Sequence, residues 1–252
     1  MNEKSRNDPL SPSLQGETGP CLYFFEESYR RSGLQAQRRY PNEEFCRFMG
    51  RHFFSVPRSQ REEIRILEVG CGSGANLWMV AWEGFDAYGV DLSPESLELA
   101  KALLTSHGAS ATLCVGDMAS LPFEEAHFHC VFDVFSSYCL TLTSFETYLN
   151  DVSRVLRKGG RYFSYTPSKR SDAFINHSPA IMLDESTLDG IRRETSPYYG
   201  NFYPFRFIAA REYKEALFAS GLEPTYCERV GRTYRNGEEY FEMLAVEATK
   251  SA

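Results

Sequence analysis

Ile66-Leu67-Glu68-Val69-Gly70-Cys71-Gly72-Ser73-Gly74 begins as a short apolar run and ends on three glycines at alternate positions. The run reads as a buried strand that turns on its glycines. Behind it come a helix-like segment, Ala75–Trp82, a helix-stopping Gly84, and a second apolar run, Ala87–Val90, that meets the lone carboxylate of Asp91. Strand, glycine turn, helix, strand and acid together suit a nucleoside-bearing cofactor. The glycines let backbone approach the ligand closely, and the carboxylate accepts hydrogen bonds from a ribose.

Outward from this unit the alternation continues. Ser93-Pro94-Glu95 supplies an N-cap, a first-turn proline and a first-turn acid, which predicts a helix to about Leu104. Thr112–Val115 and His129–Phe135 read as strands and Phe145–Leu156 as a helix; Lys158-Gly159-Gly160 turns into a fifth strand, Arg161–Tyr165. Strands alternating with helices give βαβ units and a mostly parallel, doubly wound sheet of the Rossmann-like α/β class. The pattern breaks at Pro167 to about Phe207, read as an insertion over the sheet's carboxyl edge, and returns with a helix at Ala210–Ser220. Thr225–Tyr234 and Tyr240–Glu247 flank Arg235-Asn236-Gly237-Glu238, a strong hairpin signal that ends the sheet in an antiparallel pair. Upstream, Pro41 precedes apolar residues at helical spacing (Phe45, Phe48, Met49, Phe53), an amphipathic helix. The expected organisation is a disordered polar leader over 1–20, a helical segment over 21–60, and a cofactor-binding domain over 61–252 with a cap insertion at 168–209.

The 252 residues carry a net charge of −7, with 42% apolar and 24% charged side chains. That balance fits one domain with a real core and argues against a broad electrostatic footprint for nucleic acid or an anionic membrane. The seven cysteines form no Cys-x-x-Cys pair and no zinc-like spacing with histidine, so reduced core thiols and no metal are expected. No apolar run reaches the roughly 18 to 20 residues of a membrane span, and a cytoplasmic location is the expectation.

The spacing Gly70-x-Gly72-x-Gly74 departs from the Gly-x-Gly-x-x-Gly of dinucleotide folds. Glu68 lies two residues before the first glycine, where its carboxylate would repel a pyrophosphate and suit the cationic amino-acid end of S-adenosylmethionine. The chain here resembles the class I S-adenosylmethionine-dependent methyltransferases. The likeness runs through Leu67–Gly74, Gly89–Lys101, Gly116–Phe123, Phe132–Phe135 and Arg154–Ser164 in the family's order, and the terminal hairpin adds a family-like sixth and seventh strand. A fainter likeness, through Tyr40-Pro41-Asn42-Glu43, is to bacterial enzymes of small-molecule and sugar tailoring. The resemblance implies that Gly70, Cys71, Gly72 and Gly74 form the turn beside the methionine moiety, and that Asp91 accepts both ribose hydroxyls with Leu92 on the adenine. It further implies that Asp117 reads the adenine amino group with Met118 against the ring, while Asp133 and Phe135 line the sulfonium and the substrate entrance. S-adenosylhomocysteine is then the product. Enzymes that methylate nucleic-acid bases resemble one another in an Asn/Asp-Pro-Pro-aromatic stretch; here that place reads Asp133-Val134-Phe135-Ser136, and no nucleic-acid partner is expected.

Methyl transfer is a direct displacement, so alignment of the reactants supplies much of the acceleration. A hydroxyl acceptor also needs a base. Related tailoring enzymes often place a histidine shortly after the fourth strand; Ser136-Ser137-Tyr138-Cys139-Leu140 has none. The catalytic candidates are therefore His177 in the insertion and Tyr138, followed by Asp184, Glu185 and Glu194. The cluster Tyr198, Tyr199, Phe202, Tyr203, Phe205 and Phe207 either lines an acceptor pocket or packs the cap on the core. Arg192, Arg193, Arg206 and Lys169 are candidates for an acceptor's carboxylate or phosphate, or are solvated charges. The expectation is methylation of a small molecule, at oxygen before nitrogen or carbon, by a monomer or homodimer. The rivals are a nicotinamide-dependent oxidoreductase and a non-catalytic cofactor-binding protein.

Overall fold

A computed structural model describes residues 19–251. The expected polar leader lies outside the described residues except for Gly19 and Pro20, which open the first helix. The elements in chain order are α1 (Gly19–Ser32), α2 (Glu43–His52), β1 (Arg65–Val69), α3 (Leu77–Trp82), β2 (Asp86–Asp91), α4 (Pro94–Ser106), β3 (Thr112–Val115), β4 (Phe128–Val134), α5 (Leu142–Val155), β5 (Leu156–Pro167), α6 (Asp172–Ile175), β6 (Thr187–Leu188), β7 (Phe205–Arg206), α7 (Ala210–Ala219), β8 (Leu222–Tyr234) and β9 (Glu239–Lys250). A seven-stranded sheet has the order β3-β2-β1-β4-β5-β9-β8. β9 pairs antiparallel with both β5 and β8, and the remaining pairings are parallel.

The alternation along each strand sends side chains to two cores. Leu67, Val69, Val131, Tyr162, Leu244 and Val246 meet α5 and α7 through Phe145, Tyr148, Leu149, Tyr213 and Leu217. Ile66, Cys130, Phe132 and Phe163 meet α2, α3 and α4 through Phe45, Phe48, Leu77, Val80 and Leu97. Phe45 stacks on Phe132 with centroids 3.9 Å apart. Asn42 caps α2, its side-chain oxygen accepting from Phe45 N at 3.1 Å, and Ser93 caps α4 in the same way from Ser96 N at 3.2 Å.

Two local expectations change. The helix behind the glycines starts at Leu77 rather than Ala75, because Asn76 is held in the turn by side-chain hydrogen bonds to the site. Lys158-Gly159-Gly160 is not a free turn. It lies inside β5, where the register against β4 shifts between the Phe128 and Cys130 partners, and Gly159 (φ +71°) takes up the bulge. Residues 168–209 carry only α6 and the two-stranded β6–β7 pair. They close a third apolar cluster with Cys21, Tyr138, Cys139, Phe241 and Met243.

Candidate functional site

After β3 the chain crosses to the other side of β1 to form β4, so the order of the sheet reverses between β1 and β4. Crevices at the carboxyl ends of such strands bind ligands. A cavity of about 400 Å³ opens there, walled by the glycine turn, the end of β2, the loop after β4, and α1.

Gly70 and Gly72 both have positive φ, +64° and +51°. A Cβ on Gly70 would sit 2.3 Å from Ser136 Cβ, so only glycine fits between the two loops. Gly72 N donates to Asp91 Oδ2 at 2.8 Å and Ser93 N to Oδ1 at 2.9 Å. These bonds aim the carboxylate along the cavity wall, where Leu92 also lies. Burial pushes the Asp91 carboxyl upward against the two backbone donors that stabilise its charge. Gly74 is not in the wall; it lets α4 approach, since a Cβ there would meet Ala100 Cβ at 3.1 Å.

Glu68, 2% exposed, lines the cavity beside the glycine turn. Its Oε1 accepts from Asn76 Nδ2 at 2.5 Å, and its Oε2 is buried in the wall with no hydrogen-bond partner. Burial pushes this carboxyl up to about 8. Asn76 Oδ1 in turn accepts from Arg38 Nη2 at 3.1 Å and from Asn42 N at 2.9 Å, linking α2 and the loop before it to the site. The residues present therefore fit S-adenosylmethionine: a glycine cradle, a backbone-held carboxylate at the end of β2 able to accept from a ribose, and a buried carboxylate oxygen with no hydrogen-bond partner able to accept from an ammonium.

Cys71, Met118 and Phe135 also line the cavity. Phe135 adopts φ +58° and stacks on Tyr138 at 4.2 Å. Asp133 is not in the wall. It is fully buried beneath it, accepting from Ser136 N (3.0 Å), Ser137 N (3.1 Å), Ser137 Oγ (2.5 Å) and Ser164 Oγ (3.1 Å). It shapes the loop that carries Phe135. Asp117 is exposed outside the wall, its Oδ1 accepting from Ala119 N at 2.8 Å, while its neighbours Gly116 and Met118 face in.

The two catalytic candidates separate. Tyr138 lines the cavity, but its hydroxyl pairs with Tyr203 at 2.7 Å and burial pushes its phenol well above the ordinary range. His177 is outside the wall, its Nδ1 against the Phe174 carbonyl at 2.9 Å. Asp184, Glu185 and Glu194 are outside it too. Of the basic candidates, Lys169 pairs with Glu212, Arg192 with Asp189 and Arg193 with Glu239. Arg206 is fully buried, donating to the carbonyls of Leu140 (3.2 Å) and Ser137 (3.1 Å) with its guanidinium 3.6 Å from the Phe145 centroid. It cannot touch an acceptor. In the aromatic cluster only Tyr198 reaches the cavity; Tyr203, Phe205 and Phe207 are buried in the third core.

The sequence reading missed the contribution of α1, which supplies Cys21, Leu22, Phe25 and Tyr29, and that of Gln37 and Arg38 after it. The aromatic density of residues 22–54 was the available signal. A second chamber of about 240 Å³ shares Arg38, Phe135 and Tyr198 with the first and is walled otherwise by Tyr165, Arg232, Tyr234, Phe241 and Met243 among others.

Residues 66–160 match the family model described as a methyltransferase domain. Over 107 residues the chain is 34% identical to a fatty-acid O-methyltransferase of Mycolicibacterium smegmatis, covering 42% of this chain and 37% of that protein. It is 26% identical over 185 residues to a ubiquinone biosynthesis O-methyltransferase of Rhizobium johnstonii, covering 73% and 69%. The chain spans about a third to two fifths of the length of several curated relatives. Its fold is similar to that of the Burkholderia thailandensis 1,6-didemethyltoxoflavin-N1-methyltransferase, solved with 1,6-didemethyltoxoflavin and S-adenosylhomocysteine bound. The TM-score is 0.60 at 17% identity, over 98% of this chain and 93% of that one.

Proposed function

We propose that this protein, whose residues 66–160 match the methyltransferase-domain model, transfers a methyl group from S-adenosylmethionine to an oxygen of a small-molecule acceptor. The observation that carries the reading is the unpartnered Oε2 of Glu68, buried in the wall beside the glycine turn. A buried carboxylate oxygen without a hydrogen bond is costly even with the Arg38 charge nearby, and a ligand ammonium would satisfy it. A pyrophosphate would not, which separates this reading from a dinucleotide oxidoreductase.

Bound S-adenosylmethionine supplies an electrophilic methyl group on a positively charged sulfur. The chain's own residues hold the two ends apart: Glu68 and Asn76 at one, Asp91 and Leu92 at the other. Phe135 and Tyr198, shared by both chambers, present aromatic faces where the acceptor meets the donor, and such faces favour a cation nearby. Tyr165, in the second chamber, is pushed up to about 12 by burial and stays a neutral hydrogen-bond donor. The acids of the first cavity's wall, Glu68 and Asp91, sit at the proposed anchoring positions, and Tyr138 stays protonated. The second chamber's acids, Glu43 and Glu44, are paired with Arg47 at 2.7 and 3.7 Å, while Arg38 and Arg232 share that wall. An acceptor oxygen that arrives already ionised, as a carboxylate or phenolate, is the one this reading favours. The names of the fatty-acid and ubiquinone-pathway relatives, both O-methyltransferases, support oxygen.

Calorimetry with S-adenosylhomocysteine and with a nicotinamide dinucleotide tests the donor half; binding of the dinucleotide alone would reverse it. Labelled methyl transfer to hexadecanoate and 4-hydroxybenzoate, set against hexadecanol and benzamide, tests the acceptor half. Transfer confined to the neutral compounds would sink the anionic-oxygen reading.

A further inference from the structure

Cys21 in the first turns of α1 and Cys139 in the short turn after β4 lie 118 residues apart in sequence, yet their sulfurs are 2.7 Å apart. Both are buried at 7% exposure and both line the cofactor cavity. The sulfurs need close only by about 0.7 Å to reach an S–S bond length of about 2.05 Å. The third thiol of the wall, Cys71, has the Gly72 carbonyl at 3.9 Å as its sulfur contact.

The helix carrying Cys21 is held by packing more than by polar ties. Cys21 and Tyr29 are buried, and Phe24 and Phe25 meet Tyr203 with ring centroids 5.2 and 5.9 Å apart. Its polar ties include Arg30 to Glu95 at 3.4 Å, with both side chains about half exposed, Ser93 Oγ to Glu26 at 3.3 Å, and Gln37 Nε2 to Ser28 Oγ at 3.3 Å. Exposed ion pairs contribute little. Four α1 residues form one wall of the cavity, so a covalent link between α1 and the loop after β4 would tie together two sides of it.

We propose that Cys21 and Cys139 are an oxidation-sensitive pair whose disulfide fastens α1 over the cofactor cavity and slows cofactor exchange. This rests on the cavity being the cofactor site. The oxidant is a hydroperoxide. One thiol sulfur takes the peroxide's terminal oxygen to become a sulfenic acid as the peroxide's O–O bond breaks, and water leaves when the peroxide is hydrogen peroxide. The second sulfur then attacks the sulfenic sulfur, the S–S bond forms, and a second water carries away the hydroxyl and the thiol proton. Two thiols and one peroxide thus give one disulfide and two waters. Burial pushes the Cys21 thiol well up, which keeps its thiolate scarce, so oxidation of the pair is slow and needs sustained peroxide. The oxidant reaches the sulfurs through the space the cofactor fills, so bound cofactor protects them.

The test treats the reduced full chain with hydrogen peroxide, alkylates the remaining thiols and maps a non-reduced digest by mass spectrometry. The expected product is one peptide pair joining residues 21 and 139, absent from Cys21→Ser and Cys139→Ser and suppressed by saturating S-adenosylhomocysteine. Release of S-adenosylhomocysteine, followed by rapid mixing, should be about tenfold or more slower after oxidation, restored by dithiothreitol, and insensitive to peroxide in Cys21→Ser. Links among other cysteines, or no link, overturn the pairing. A 21–139 link with unchanged release overturns the fastening. If S-adenosylhomocysteine binds neither form, the cofactor reading fails, and with it the fastening, while the mapped link still reports on the thiols.

Discussion

Glu68 is where the chemistry of single residues is most directly measurable. Its carboxyl is pushed from 4.5 to about 8 by burial, so at neutral pH the unliganded protein holds a proton there that the unfolded chain has lost. The stabilisation from that raised value is complete below about 4.5 and is lost as pH rises through about 8. Glu68→Gln should flatten the fall in melting temperature between those limits; an unaltered slope would show that another group sets it. A ligand ammonium would draw Glu68 into its charged form, so binding of S-adenosylhomocysteine at pH 7 should release up to about one proton. Calorimetry in two buffers of different ionisation enthalpy reads this, and the release should vanish in Glu68→Gln. On the proposed cofactor reading, Asp91→Ala removes a ribose acceptor and should weaken S-adenosylhomocysteine binding by about 1 to 3 kcal/mol. Unchanged affinity would place the ribose elsewhere. His177, turned to the Phe174 carbonyl away from the cavity, should tolerate His177→Ala with a near-normal rate of methyl transfer; a collapse in turnover would restore it as the base.

At the scale of elements, what the sequence made legible was what periodicity and punctuation encode. The strand–glycine–helix–strand unit, the capped α4, and the Asn236-Gly237 connection all appear where local residues demand them, and Asn236 takes φ +59° as such a turn requires. Asn42→Ala should cost roughly 1 kcal/mol of stability through the lost cap, measured by denaturant unfolding. Gly70→Ala is a harsher test. It forces φ +64° on a residue whose Cβ would strike Ser136, and a loss of roughly 2 to 5 kcal/mol is expected. What stayed illegible was long-range. Nothing near Arg38 or Tyr29 in the chain says that they lie against Asn76 and Gly72, because those neighbours are fixed by how α1 and its following loop lie on the sheet. Asp133 failed differently: at a strand end it looks like a ligand, but three serines and two amides, all later in the chain, absorb its charge. Arg206 likewise gave no sign in its neighbours that it would be buried.

For the molecule as a whole, the sheet is a partition between two unlike interiors. The α5/α7 side carries a chain of tyrosine hydroxyls, Tyr148 to Tyr162 at 3.1 Å and Tyr162 to Tyr213 at 3.0 Å, close to Asp133 and Arg206. The α2/α3/α4 side is apolar and dominated by Phe45, Phe48, Phe132 and Phe163. Phe45→Ala should therefore cost about 3 to 5 kcal/mol, seen as a lowered midpoint in denaturant, and should loosen the loop that carries Arg38. The placement of β9 between β5 and β8 has a further consequence, for synthesis on the ribosome. β5 cannot complete its pairing until Met243 to Thr249 have been made, some 76 to 88 residues after their partners Pro167 to Arg161. During that interval β5 has an open edge, and the nascent chain carries a half-built sheet bearing the glycine turn. The residues that wall the larger cavity end at Tyr198, so its whole lining is synthesised before the strand that closes the sheet beside it.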